Sequence, residues 1–563
     1  MKHSCCLLGV CLSVLVLVGV GCPWWHDQDT TPPASVSAFA AVAGNGQIAL
    51  FWSNPSDEDF QGTRVARATG AYPASPTDGT AVYEGAAETF TDTGLTNGTP
   101  YFYSAFAYDG VPNYAPAAQA TATPQEGAEG EGEGEGEGEG EFAGFLEVPA
   151  PLSGDNPTYK RTNVAVPGAG QSVVDPDFGT TQRRVVGAER LRNEYSRLDP
   201  FNADRSMILL LQIAEGEWRV YRTDSIPYDQ AANLVATVAV EEPRWDPANP
   251  DLLWGIQDFA LVTVSLSTKQ ATVVKNFAAD PAIAPLLILY PDLYRITMRD
   301  EGESSADKRY WAFAIQGSND DYRVRYLFTW DREANEILGL YTLPVNESRI
   351  DWVGMSWKGT WVLIGGDWDN AGNLEGLVMA NKGLTQFLQL DYATAHADIG
   401  LDSDGNEVLV MQGVRTDYID LIPLEMATTP ITSPTGDYTG TNRTPLLRLF
   451  YDSESAVGFN SGVHISCNYP GWCVVSTYTE PGVAEQNWLD RKVVLIKLDR
   501  ANPRVFYLAR VYGTRGAYWE ETQATMSRDG SCVVWATNWN QHVGDERVWL
   551  MQLAMPAGWA SHY

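Results

Sequence analysis

Two histidines, His396 and His464, stand near Asp398 and Gln523 in a recurring sequence context, and Glu301 falls in the same context. Imidazole, carboxylate and amide oxygen together suit Mn²⁺, Zn²⁺ or Ca²⁺, so His396, Asp398, His464 and Gln523 form one candidate metal set. Glu242, Arg244, Glu301, Glu303, Trp352 and Thr525 occupy equivalent places in other copies. They suit a second chemistry, in which Trp352 offers a stacking face and the polar groups hydrogen-bond a sugar or peptide. A third reading needs no ligand: solvated walls with internal ion pairs such as Glu242 with Arg244. Cys467 and Cys473 flank the turn NYPGW and are placed to close a small disulfide loop in an oxidising compartment, whereas Cys532 reads as a buried thiol. DSDGNE (402–407) and DWDNAGN (367–373) alternate oxygen donors but lack a calcium loop's length and distant Glu, so both read as turns. No GxSxG, HExxH or phosphate-binding Gly-Lys loop is present.

The elements that must position these residues recur. A polar opening, a small-residue turn and an aliphatic run begin near Tyr195, Glu242, Glu301, Ile350, His396, Gly462 and Glu521. Seven copies at roughly 45–65 residues match the period of a propeller or array. Each turn is followed by further strand patterns, such as WRVYRTD and NLVATVAV, giving four antiparallel strands per unit. The seventh copy stops after VWLMQL, one strand short, while TQRRVVG (181–187) precedes the first copy unpaired. Pairing the two ends would close a seven-bladed ring over residues 145–563 and remove an exposed edge. In such a ring the opening strands line the axis. The positions two and four before each turn should face it: Leu198 and Pro200, Glu242 and Arg244, Glu301 and Glu303, Trp352 and Gly354. The later copies add Asp398 and Gly400, Gly462 and His464, Gln523 and Thr525.

A chain of 563 residues is too long for one core and predicts several domains. Helical periodicity is scarce while Trp (19) and Tyr (26) abound, which predicts an all-β protein. The net charge of −33 argues against nucleic acid and acidic polymers as partners, since phosphate binding needs Lys and Arg clusters. Residues 34–124 hold seven short strand patterns with Gly/Pro/Asn turns, fitting a β-sandwich with Trp52 in its core, and the absence of a Cys pair argues against an antibody-type domain. Residues 125–144 include a Glu-Gly run with nothing to bury, which predicts a spacer of ~20–25 Å r.m.s.. Residues 1–21 combine a short basic head with an apolar run, the pattern of an export signal, and 22–33 read as a tether.

Three resemblances sharpen this. GVGC, ending at Cys22, resembles a bacterial lipoprotein signal, with Gly19 where such signals usually carry Leu. It implies lipidation of Cys22 and an envelope protein held to the membrane by its anchor alone; plain secretion and a retained anchor are the alternatives. TDTGLTNGTPYFYSAFAYD resembles a fibronectin type III domain, with Tyr101 as its corner tyrosine. The turns NADR, SADK, SDGN and SRDG, with PDFGT, resemble the propellers of the Tol-associated periplasmic family and related WD-like repeats. Some seven-bladed polysaccharide lyases are similar in placing His and Gln around a central metal. The expectation is therefore a non-catalytic envelope protein that binds a protein or glycan. A lyase or hydrolase with a metal at the channel mouth, and a purely structural spacer, are the other readings.

Overall fold

The computed structural model describes residues 30–124, 142–317, 323–343, 349–367, 376–428, 442–449, 461–480, 487–541 and 546–563, apart from positions 45, 58, 112, 143, 154–155, 160–163, 395 and 414–415. The expected signal, Cys22 and the Glu-Gly run lie outside them. The chain divides into two compact units, Met1–Glu135 and Gly136–Tyr563.

The first unit is a sandwich of seven strands: β1 (Ser37–Gly44), β2 (Gln47–Ser53), β3 (Phe60–Thr69), β4 (Thr80–Gly85), β5 (Thr89–Thr93), β6 (Tyr101–Asp109) and β7 (Ala118–Ala122). One sheet runs β1-β2-β5 and the other β4-β3-β6-β7, the fibronectin type III strand order. Alternating residues Ile48, Leu50 and Trp52 of β2 meet Val65 of β3 and Tyr103 and Ala105 of β6 in the core. Trp52 is 4% exposed. The Tyr101 hydroxyl accepts the Thr96 N–H at 3.1 Å, which pins the turn before β6 as a corner tyrosine does.

The second unit contains, among the described residues, seven antiparallel sheets. Six have four strands and span residues 191–238, 241–276, 293–342, 349–391, 397–448 and 461–510, each ordered as in the sequence. The seventh is made from both ends of the unit. Thr525–Met526, Cys532–Thr537 and Trp549–Ala554 are joined by β9 (Thr181–Arg184) and then β8 (Ser172–Val174). Gln552 faces Arg183 and Leu553 faces Gln182 in this joint ladder.

Strand alternation explains how the sheets stack into a ring. In the fifth sheet Val408 and Val410 pack toward the sixth with Val463 and Val475, while Leu409 and Met411 pack toward the fourth with Leu363 and Met379. Each neighbouring pair shares one such cluster, and Ile208 and Leu210 of the first sheet pack on Cys532, Val534 and Leu550 of the seventh. Seven interfaces for seven sheets close a seven-bladed propeller.

The segment before β8 runs along the outer edges of the fifth and sixth blades. Tyr507 donates its N–H to Leu146, Val148 donates to Val505, and Arg448 donates to Pro151. Phe142 and Phe145 pack at 4.9 Å, and Phe142 meets His562 at 5.3 Å, so residues 142–145 already belong to this unit's surface.

Candidate functional site

The innermost strands face the axis, but several are bulged. Glu242 has φ 49° and sits where the register jumps between the pairs Glu241–Ile256 and Arg244–Trp254. Its carboxylate therefore turns to the third blade, accepting from the Thr297 hydroxyl and, at 2.9 Å, from the Met298 N–H. Arg244 goes elsewhere: its guanidinium lies 3.5 Å from Glu194 and donates to the carbonyl of Asp300. The expected Glu242–Arg244 ion pair does not form. The sixth blade also departs from the expected register, because its turn begins at Asn468. That makes His464 and Ser466, rather than Gly462 and His464, the equivalents of Glu301 and Glu303. Gly462 instead lies against the Tyr478 ring, which a Cβ would approach to 2.1 Å.

The middle of the channel is filled. Arg197 crosses from the first blade to Glu301 at 3.3 Å and lies over the Trp352 ring at 4.3 Å. Trp352 is 1% exposed, so the stacking face expected of it is already covered by a guanidinium. Arg528 of the seventh blade reaches Glu303 of the third at 3.0 Å, and its N–H donates to Asp199 of the first at 2.7 Å. Burial would raise Glu303, but Arg528, Lys308, Arg244 and Arg197 together hold its carboxyl below the usual range. Burial pushes the Lys308 ammonium down to about 8, with Arg528 and Arg244 helping and Glu303 opposing. Burial also raises Glu301 against the pull of Arg197.

Asp398 accepts the N–H of Cys467 at 2.6 Å and its own neighbour's at 2.8 Å, and burial raises it to about 7 despite Arg197. Gln523 accepts from the Ser196 N–H at 3.1 Å, and Thr525 donates to the Leu198 carbonyl at 3.2 Å. His396 and His464 do meet, ring centroids 4.5 Å apart. Each has its own partner: Tyr195 Oη at 3.0 Å from His396 Nδ1, and Glu521 Oε2 at 2.9 Å from His464 Nε2. Burial lowers both imidazoles, and for His396 the neighbouring His464 adds to it. The four expected metal ligands thus carry separate hydrogen bonds. Among the described residues no three His, Cys, Asp or Glu side chains are arranged to hold a metal ion. Mn²⁺, Zn²⁺ or Ca²⁺ does not fit this set.

Cys467 and Cys473 are free buried thiols, not a disulfide. They follow the last ladder pair of their hairpin, Ser466 opposite Val474. Burial raises the Cys467 thiol, and a hydrogen bond with Cys473 adds to it. Cys532 is buried as expected, its thiol pushed up to about 11. Asp402 of DSDGNE accepts from the N–H groups of Asp404 and Asn406, the geometry of a turn. Most of DWDNAGN lies outside the described residues.

Where the blade turns converge, the channel keeps a cavity of about 30 Å³, lined by Trp357, Met355, Ile399 and Ala306 and by the polar Arg197, Arg528, Glu303, Asp398 and Asn468. Trp357 is half-buried at its rim. Arg197, Arg528, Trp357 and Asn468 were not singled out from the sequence. Alternation assigns Arg197 to the other face, but the innermost strand of its blade is only Leu191–Arg192. Arg528 and Trp357 lie in turns, one residue after Ser527 and Ser356, and that shared offset was the available signal.

No family model matches the chain, and no curated protein matches it. Among solved structures it is similar to a mutant of FN3tt (16% identity, 17% of this chain and 100% of that one, TM-score 0.14). It is also similar to the Clostridium perfringens spore cortex lytic enzyme SleM (17% identity, 16% of this chain, TM-score 0.14). For that enzyme the match takes in 28% of the other chain. Rat CD45 extracellular domains d3–d4 match at 13% identity over 17% of this chain and 51% of that one, TM-score 0.14.

Proposed function

We propose that this chain is an exported, lipid-anchored envelope protein that binds a protein or glycan without transforming it. Its ligand engages the propeller at the turn-side mouth of the channel. One observation carries this reading. Arg197, Arg244 and Arg528 bridge blades near the axis, and the turn-side cavity beside them has a volume of about 30 Å³, room for about two waters. The open end of that cavity offers an aromatic face, Trp357, beside hydrogen-bonding groups, the composition of a recognition surface. The first unit fits the reading as a spacer, a common use of its fold.

The test is binding of the full chain to a glycan panel and to envelope proteins, with Trp357→Ala compared at equal melting temperature. A loss of about threefold to tenfold in affinity is expected, since stacking on an aromatic ring is worth about 0.5–1.5 kcal/mol. Unchanged binding by the folded variant moves the site elsewhere, and turnover of a bound glycan replaces this reading with an enzyme.

A further inference from the structure

We propose that the turn-side cavity receives a single carboxylate group of the ligand; this rests on, and deepens, the binding reading above. Size is the first argument. A space of about 30 Å³ excludes a sugar ring or a bulky side chain but accepts a flat group of three heavy atoms. Its donors are the second. Arg197 and Arg528 both line the cavity, and the Nε–H of each has no hydrogen-bond partner. Arg197 is buried to 4% exposure, so that donor is shut away from bulk water. A guanidinium edge presents parallel N–H groups that match the two oxygens of a carboxylate.

Local charge is the third argument. Four cations, Arg528, Lys308, Arg244 and Arg197, act on Glu303, which alone among the lining carboxyls is held low. Burial raises Glu301, and it raises Asp398 to about 7, so Asp398 carries less than a full charge near neutrality. Positive charge is thus locally in excess inside a protein whose net charge is −33. Such a protein repels a polyanion at a distance yet can take one anionic group at a site already lined with cations. A ligand cation would meet the four cations directly, and a neutral amide would leave the excess unbalanced.

Calorimetric titration of the full chain with acetate and with acetamide, at fixed ionic strength in chloride, tests the proposal. Acetate is expected to bind and its neutral isostere not to. Arg528→Gln should weaken acetate at least tenfold, while Arg528→Lys, which keeps the charge and loses the fork, should weaken it less; both are compared at matched far-UV dichroism. Acetate binding should fade between pH 6 and 9, as Asp398 ionises and Lys308 loses its proton. Glucuronate against glucose, and a short peptide with free against amidated C-terminus, then assign the source of the carboxylate. Equal binding of acetate and acetamide, or acetate binding unchanged in folded Arg528→Gln, overturns the proposal. If glycan or protein partners still bind in that case, the binding function stands without it. Acetate binding with no partner found would instead sink the binding function and leave the pocket.

Discussion

Glu303 stands among Arg528, Lys308, Arg244 and Arg197 with a side chain 23% exposed. Taking its charge away leaves the guanidinium of Arg528 facing three other cations with less to balance them. Breaking a fully buried pair from one side costs about 3–5 kcal/mol, and the partial exposure here discounts that. Glu303→Gln is therefore expected to lower the unfolding free energy by about 2 kcal/mol with an unchanged denaturant slope, read from urea titration. Loss below a few tenths would mean the network is solvated and does not hold the blades. The same residue shows what was legible at this scale. Glu301 and Glu303 follow from counting back from their turn, but their partners Arg197 and Arg528 come from blades over a hundred residues away. No local pattern joins them.

At the scale of the element, the period of the turns foretold seven sheets, and the alternation in runs such as EVLVMQ foretold which residues each sheet turns to its neighbours. Alternation failed where strands bulge. A register jump beside Glu242 sends its carboxylate to Thr297, and the asparagine turn at 468 moves the sixth blade's axial residues by two. Bulges add a residue without changing composition, so they leave little trace in a sequence read alone. Spacing around the tight turn suggests a bridge between Cys467 and Cys473, but both stand as free buried thiols.

Closure by β9 has a consequence at this same scale. A chain beginning at Val185 would keep all seven innermost strands but leave Trp549–Ala554 as a bare edge, and would uncover the outer strand Arg504–Arg510. Exposed, apolar edges pair with other chains. Such a truncation is expected to melt at lower temperature and to elute as oligomers on size exclusion. A monomer with unchanged melting would show that the first and seventh blades hold together by side-chain packing alone.

Across the whole molecule, burial sets the protonation of several groups near the axis, and these give stability a pH dependence that net charge does not predict. Burial raises Glu194 to about 8 and Asp199 and Asp398 to about 7. A carboxyl raised in the folded state binds its proton more tightly there than in the unfolded chain, so its stabilisation is full at low pH and lost as pH climbs to the folded value. His396 and His464 work in the other direction: held below 6.5 by burial, they cost stability as pH falls and are silent above it. Lys308, lowered to about 8 from 10.5, restores some stability only above pH 8. Between pH 6.5 and 8 the carboxyls act unopposed, and unfolding free energy is expected to fall steadily across that window in chemical denaturation. Asp398→Asn keeps an acceptor for the Cys467 N–H but has nothing to titrate, so it should flatten part of the slope. A slope that is flat in the parent, or identical in the variant, would mean that water reaches these carboxyls and that the channel is not closed by its arginines.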